Sequence, residues 1–345
     1  MIPCRRRLRT SVALLLLLVA CAGLTPFSGA AFSAPRVENV LLVVIDGVRW
    51  SESWGDPGRA NIPRLAAMAP EGVVCTRFRN NGVTATNPGH ASLVTGFRES
   101  LSNDGSEPAP HPSFLQLWRK ATGAPAEAAW VVTAKGKLAI LAGSADPAWA
   151  GGAFDPSADC GVNGGGLKAK TRSDRETWEA LRRILADRHP RAVVVNFAAP
   201  DARGHAGDWE GYRAAVREAD GYVGELWAWL QRDPRYAGRT ALLVTNDHGR
   251  HLDGVKTGFK DHGCDCEGCR HIMFFAFGPC FRRGVEEATP RELIDAAATA
   301  AALLGVRIPG SKGEVMTELF AAGRVPAEPA PPREAPAREL VPAGR

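Results

Sequence analysis

The sequence predicts an α/β domain with a predominantly parallel central sheet flanked by helices on both faces. Three observations carry that prediction. Residues 40–45, 192–197, 240–245 and 272–277 are apolar runs of strand length, with 128–133 as a fifth. Helical patterns lie between them. Three of the runs lead into acidic motifs, and in open α/β sheets ligands bind beyond the carboxyl ends of the strands.

The first thirty residues are set apart from the fold. Arg5, Arg6, Arg7 and Arg9 precede an apolar run over 12–20 and a stretch of small residues to Ala31. A basic, then apolar, then small-residue order describes a secretory signal over residues 1–30. The apolar run is too short for a comfortable permanent span. Ser28-Gly29-Ala30 suits an ordinary signal peptidase, while Leu18-Val19-Ala20-Cys21 resembles a bacterial lipobox that would leave a lipidated Cys21. Arg5-Arg6-Arg7-Leu8 offers a weak twin-arginine signal. The expected location is therefore exported: periplasmic, lipid-anchored at the bacterial envelope, or secreted. The formal charge of +5 falls to +1 once the four arginines of residues 1–30 are set aside. A nearly neutral chain gives no electrostatic reason to expect a nucleic acid duplex as partner. Membrane contact is expected only through a lipid on Cys21, and the sequence is silent on oligomeric state.

Residues 36–323 are expected to form a single domain, and the Pro/Ala-rich residues 324–345 a disordered tail. The run 40–45 has no polar interruption, as expected of a strand buried on both faces. Residues 113–122 read as a helix, with Phe114, Leu115, Leu117 and Trp118 on its apolar side. The Gly-rich stretch 143–166 reads as a long loop or small insertion. Residues 174–187 repeat Trp178, Leu181, Ile184 and Leu185 at helical spacing. Residues 208–231 form a long helix and 291–304 the closing one.

The chemistry lies where the strands end. Asp46 follows the first run. Asp201-Ala-Arg-Gly-His205 follows the second, a carboxylate and an imidazole spaced to bind one cation. Asp247-His248 follows the third, and His262 stands before the fourth, with His271 as its rival. Each piece alone is common in loops; jointly they supply oxygen and imidazole donors that suit zinc first and other first-row metals after it. Two divalent ions close together can clamp the attacking and leaving oxygens of an in-line displacement. Thr86, in Thr86-Asn-Pro-Gly-His90, precedes a helix start marked by Pro88, where free backbone N–H groups can receive an anion. Alone it would read as a helix cap; beside a divalent ion its hydroxyl becomes a nucleophile. His90 and His251 read as structural histidines.

Together these residues resemble the alkaline phosphatase superfamily, closest to its nucleotide pyrophosphatase/phosphodiesterase (type I phosphodiesterase) branch and the bacterial Thr-nucleophile monoesterases related to it. The ordered pattern runs from Asp46 to Gly278-Pro279. The resemblance implies an alkaline-phosphatase-like fold, one metal on Asp201, His205 and His262, and a second on Asp46, Thr86, Asp247 and His248. It implies Thr86 as nucleophile through a phosphothreonine, and Asn103 on a nonbridging phosphate oxygen. Lys135 and Lys137 are similar to a basic pair that favours a dianionic monoester, although Lys137 stands where the pattern has Arg. The reading is an exported two-metal phosphomonoesterase acting on a small phosphate ester. A phosphodiesterase or nucleotide pyrophosphatase is the alternative within the class, and a non-catalytic, metal-stabilised binding protein the alternative outside it.

Six cysteines lie beyond the leader: 75, 160, 264, 266, 269 and 280. In an exported chain an even number suggests disulfides. The cluster Cys264, Cys266 and Cys269 also reads as a zinc site, but is expected to be a disulfide-braced loop holding His262.

Overall fold

Strand β1 (Asn39–Ile45) is buried along its whole length. Its side chains divide by the two-residue period of an extended chain: Val40, Leu42 and Val44 enter one apolar layer, and Leu41, Val43 and Ile45 the other. Burying each such side chain contributes about 1.5–3 kcal/mol of transfer free energy. An uninterrupted apolar run therefore belongs between two helical layers. The computed structural model describes residues 37–326.

After β1 the chain forms α1 (Pro63–Met68), β2 (Gly72–Arg79), α2 (Thr86–Thr95), α3 (Phe114–Thr122), β3 (Ala129–Thr133) and β4 (Ser157–Cys160). Next come α4 (Asp174–Arg188), β5 (Ala192–Phe197), α5 (Ala199–His205), α6 (Trp209–Leu230) and β6 (Thr240–Thr245). The order closes with α7 (Glu267–Arg270), β7 (His271–Phe277), β8 (Val285–Glu287), β9 (Arg291–Glu292) and α8 (Leu293–Leu303). The described strands make one nine-stranded sheet in the order β4-β3-β5-β1-β6-β7-β2-β8, with β9 also paired to β2. Residues of α2, α3 and α8 pack in one apolar layer, and residues of α1, α4 and α6 in the other.

From β4 to β6 every neighbouring pair is parallel. β7 is the exception: it runs antiparallel to both β6 and β2. The α/β, mostly parallel fold thus stands, with an antiparallel step at the fourth apolar run. β2 was not anticipated, because Thr76 and Arg77 interrupt its apolar pattern where its pairing with β7 shifts register. β4 lies within the Gly-rich stretch 143–166 expected to be a loop or small insertion; it is a four-residue edge strand with only Cys160 fully buried. The last helix starts at Leu293, since Arg291 and Glu292 pair with β2 first.

The expected disulfides are not shown: none of the six described cysteines is paired in the structure. Cys75 on β2 and Cys160 on β4 have five strands between them, about 29 Å at the usual strand spacing, beyond any disulfide's reach. The expected signal segment (residues 1–30, with Cys21) and most of the expected tail lie outside the described residues; of the tail only 324–326 are described.

Candidate metal centre and catalytic cleft

Register brings the acidic motifs together. Ile45 pairs with Phe197, and Val44 with Thr245, so β1, β5 and β6 end level. Asp46, Asp201 and Asp247 then leave the sheet at one edge, all buried. Asp201 and His205 share a face of α5 at four-residue spacing, with His205 Nε2 3.3 Å from Asp201 Oδ1. His262 Nε2 lies 3.1 Å from His205 Nε2 and 3.6 Å from Asp201 Oδ1. His248 Nε2 lies 3.6 Å from Asp46 Oδ1 and 3.2 Å from Asp247 Oδ2. His271 lies apart: it is stacked on Trp50 and bonded to the Thr76 carbonyl, 2.9 Å away.

The imidazoles are oriented from behind. His248 Nδ1 engages the Gly249 carbonyl (2.8 Å), and His262 Nδ1 the Thr84 carbonyl (2.9 Å). Both leave Nε2 facing the carboxylates, the arrangement by which second partners aim metal-binding histidines. His90, read from sequence as structural, reaches the same place: its Nδ1 is 2.9 Å from the Thr86 carbonyl and 3.2 Å from Asp247 Oδ2. Asn196, inside β5, donates to Asp46 Oδ2 (3.2 Å) and contacts His90 Nε2 (3.0 Å). Arg250, fully buried, pairs with Asp201 Oδ1 and donates to the carbonyls of Phe259 and Lys260. Sequence reasoning missed Asn196 and Arg250. One lies within an apolar run, and the other reads as a surface cation after a turn.

Thr86 is the first residue of α2, with Ala85 as the cap and no side-chain cap bond. The cap reading of Thr86 is thereby set aside. Its Oγ1 accepts a hydrogen bond from Lys135 Nζ at 3.1 Å. The same ammonium lies 2.9 Å from Asp46 Oδ2 and 2.7 Å from Asp201 Oδ2. Lys137 Nζ donates to the carbonyl and the side-chain oxygen of Asn103 (2.7 and 3.0 Å), and Asn103 Oδ1 accepts from the Asn87 N–H (2.9 Å). Thr86, Asn103, Lys135, Lys137 and Lys170 all line one cleft of about 370 Å³.

Charge is crowded here. Burial, then the Asp247 charge, push the Asp46 carboxyl up, and Lys135 pulls it back. Burial also opposes ionisation of Asp201, but Lys135, His248 and Arg250 outweigh it and hold the carboxyl well below its usual range. Burial disfavours the Lys135 ammonium, yet Asp46 and Asp201 keep it charged and raise its pKa. Burial, then His248, pull His262 down to about 3, leaving a neutral imidazole able to act as a ligand.

Three buried atoms of the cluster, Asp46 Oδ1, Asp247 Oδ2 and His248 Nε2, have no hydrogen-bond partner. Orphaned acceptors at full burial are costly. Donor atoms of Asp201, His205 and His262 lie within 4.8 Å of one another, as do those of Asp46, His90 and Asp247, and those of Asp46, Asp201 and His248. Oxygen and imidazole donors with unsatisfied lone pairs fit divalent cations.

Comparisons with known proteins agree. Residues 149–308 match the metalloenzyme superfamily model. The chain is 28% identical over 267 residues to human ectonucleotide pyrophosphatase/phosphodiesterase family member 7, covering 69% of this chain and 53% of that protein. It thus spans about half the length of that curated relative. Murine ectonucleotide pyrophosphatase/phosphodiesterase 5 superposes with a TM-score of 0.57 at 17% identity, covering 82% of this chain and 100% of that one. The phosphonate monoester hydrolase of Silicibacter pomeroyi superposes at 0.56 and 15% identity, covering 81% and 76%. Both structures share the fold. The chain is thus similar to the metalloenzyme superfamily over residues 149–308, and its relatives lie on the nucleotide pyrophosphatase/phosphodiesterase-like side.

Proposed function

We propose that this protein is an exported phosphoric ester hydrolase, a phosphomonoesterase acting on a small phosphate ester through Thr86. The observation that carries the reading is the position of Thr86 Oγ1. It sits at a helix start, bonded to the Lys135 ammonium that also bridges Asp46 and Asp201. Two divalent ions, zinc first among the candidates, would be held by Asp201, His205 and His262 and by Asp46, Thr86, Asp247 and His248; when bound they supply positive charge to the nucleophile and the leaving oxygen.

The chain's own groups do the rest. Lys135 donates to Thr86 Oγ1 and so favours its alkoxide over its hydroxyl. As the Oγ–P bond forms, the bond from phosphorus to the leaving oxygen breaks. Water then releases phosphate from the phosphothreonine and restores the threonine. Asn103, held by Lys137 and the Asn87 N–H, stands beside the nucleophile as a donor for a nonbridging oxygen. Lys137 and Lys170 add cations on the open side of the cleft, which a dianion uses more than a monoanion does.

Thr86→Ala is expected to abolish turnover of aryl phosphate while metal binding stays largely intact through the remaining ligands; full turnover in that variant overturns the nucleophile. A second reading is a phosphodiesterase, favoured by the ectonucleotide pyrophosphatase/phosphodiesterase relative. Assaying an aryl monoester and diester side by side separates the two. Lys137→Ala should lower monoester kcat/KM by about 10–100-fold and diester kcat/KM much less. An equal loss on both favours the diesterase. Export is tested by the N-terminal mass of the protein recovered from the bacterial envelope.

A further inference from the structure

The connection from β6 to β7 carries a second cluster of donors. His251 Nδ1 lies 3.0 Å from Cys264 Sγ, 3.2 Å from Cys269 Sγ and 3.9 Å from Cys266 Sγ. The Cys264 and Cys269 sulfurs are 3.9 Å apart, and all four donor atoms lie within 4.8 Å of one another. A tetrahedral zinc ion with bonds of about 2.3 Å to sulfur and 2.0 Å to nitrogen sets edges of about 3.8 Å between sulfurs and about 3.5 Å from sulfur to nitrogen. The sulfur-to-nitrogen separations bracket their edge, and the Cys264–Cys269 separation lies close to the sulfur edge.

The surroundings are built around this arrangement. His251 and Cys269 are buried. The Cys266 N–H points at Cys264 Sγ, 3.4 Å away, as backbone donors do toward thiolates. Gly249 N–H donates to the Cys269 carbonyl at 2.8 Å. The two backbones are pressed so closely that a Cβ on Gly249 would fall 1.9 Å from the Gly268 carbonyl oxygen, and one on Gly268 2.4 Å from that of Arg250. The guanidinium of Arg49 donates to the His251 carbonyl, placing a cation beside a donor set that would carry net negative charge.

We propose that His251, Cys264, Cys266 and Cys269 form a structural zinc site, separate from the carboxylate and histidine cluster. Three thiolates and an imidazole are a soft set that selects zinc over magnesium or calcium. Four protein ligands leave no open position, the mark of a structural rather than a catalytic ion. A disulfide would use two of the three sulfurs and leave the third, and His251, without a role. On binding, each thiol gives its proton to solvent. The ion would close residues 251–269 into one unit that carries His262. The hydroxyl of Thr84, two residues before Thr86, also donates to the Cys264 carbonyl at 3.0 Å.

The test uses the full, metal-loaded protein. Wild type should contain one more zinc per chain than the double variant Cys264→Ser, Cys269→Ser. Cobalt loaded in place of zinc should give sulfur-to-metal charge-transfer absorption in wild type only. If the double variant fails to fold, wild type alone decides. Titration with an organomercurial should release one zinc as three thiols react, followed with a metal indicator. Equal zinc in both proteins, no charge-transfer band, or a disulfide among these cysteines in the native peptide map each overturns the site.

Discussion

Two donor clusters lie close together in sequence at their nearest point, yet they are made in opposite ways. The carboxylate and histidine cluster gathers Asp46, Thr86, Asp201 and Asp247 from segments spread over most of the described chain, brought level by strand register. The sulfur cluster lies wholly between His251 and Cys269, in one connection. The sheet imposes the first geometry whether or not a cation is bound. It stores repulsion there: buried Asp46 and Asp247 oppose each other, and Lys135, paired with Asp46 and Asp201, offsets part of it. The second cluster draws its donors from the connection alone, not from strand ends, and depends on its own closure. A scaffold can thus hold unsatisfied charge ready for chemistry, whereas a loop spends its donors on holding its own shape.

The largest expected effect breaks the first cluster without touching the second. Asp247→Asn should lower turnover on the order of 10³-fold. Its metal content should fall while the organomercurial-releasable zinc stays. Loss of both metal pools together would mean that the clusters are one unit.

Gly268→Ala is the converse. The added Cβ meets the Arg250 carbonyl oxygen at 2.4 Å, and backbone cannot yield as a side-chain tip would. Unfolding in urea should show a loss of about 2–4 kcal/mol, accompanied by loss of the sulfur-bound metal. An unchanged midpoint would show that the loop tolerates opening.

The smallest effect calibrates acid sensitivity outside both clusters. Asp220 on α6 accepts the N–H groups of Arg64 and Leu65 at the start of α1 (2.7 and 2.8 Å), and burial pushes its carboxyl up to about 6. Its value in the unfolded chain is about 3.9. The folded protein therefore binds this proton more tightly. Its contribution to stability is complete below about pH 4, is lost as pH rises to about 6, and is flat above that. The stability difference between wild type and Asp220→Asn should fall by on the order of 2 kcal/mol from pH 4 to pH 7. A constant difference would contradict the raised carboxyl.

Legibility followed the same division. β1, β5 and β6 could be read because strands buried on both faces have no polar interruption, and the Asp residues at their ends came with them. Lys135 and Thr86 were marked by sequence, but not the bond between them, since nothing in spacing shows β3 delivering a lysine to the start of α2. Asn196 was hidden in an apolar run. β2 was hidden by Thr76 and Arg77 at a shift in its pairing. The cysteine spacing was visible, but its partner His251 stands thirteen residues before Cys264, too far for local pattern to join them. The disulfide expectation filled that gap, and the structure pairs none of the described cysteines.

The sulfur cluster also sits where the sheet reverses direction. β6 is the last of the parallel run, β7 is antiparallel to it, and residues 246–270 join them. Drawing the ends of such a chain together costs entropy that grows with its length, about 0.6 kcal/mol for each doubling. A cation gripped at His251 and Cys269 would remove most of that length before β7 docks. Assembly order then follows: with zinc present, the antiparallel margin should form soon after β6, and without it, last.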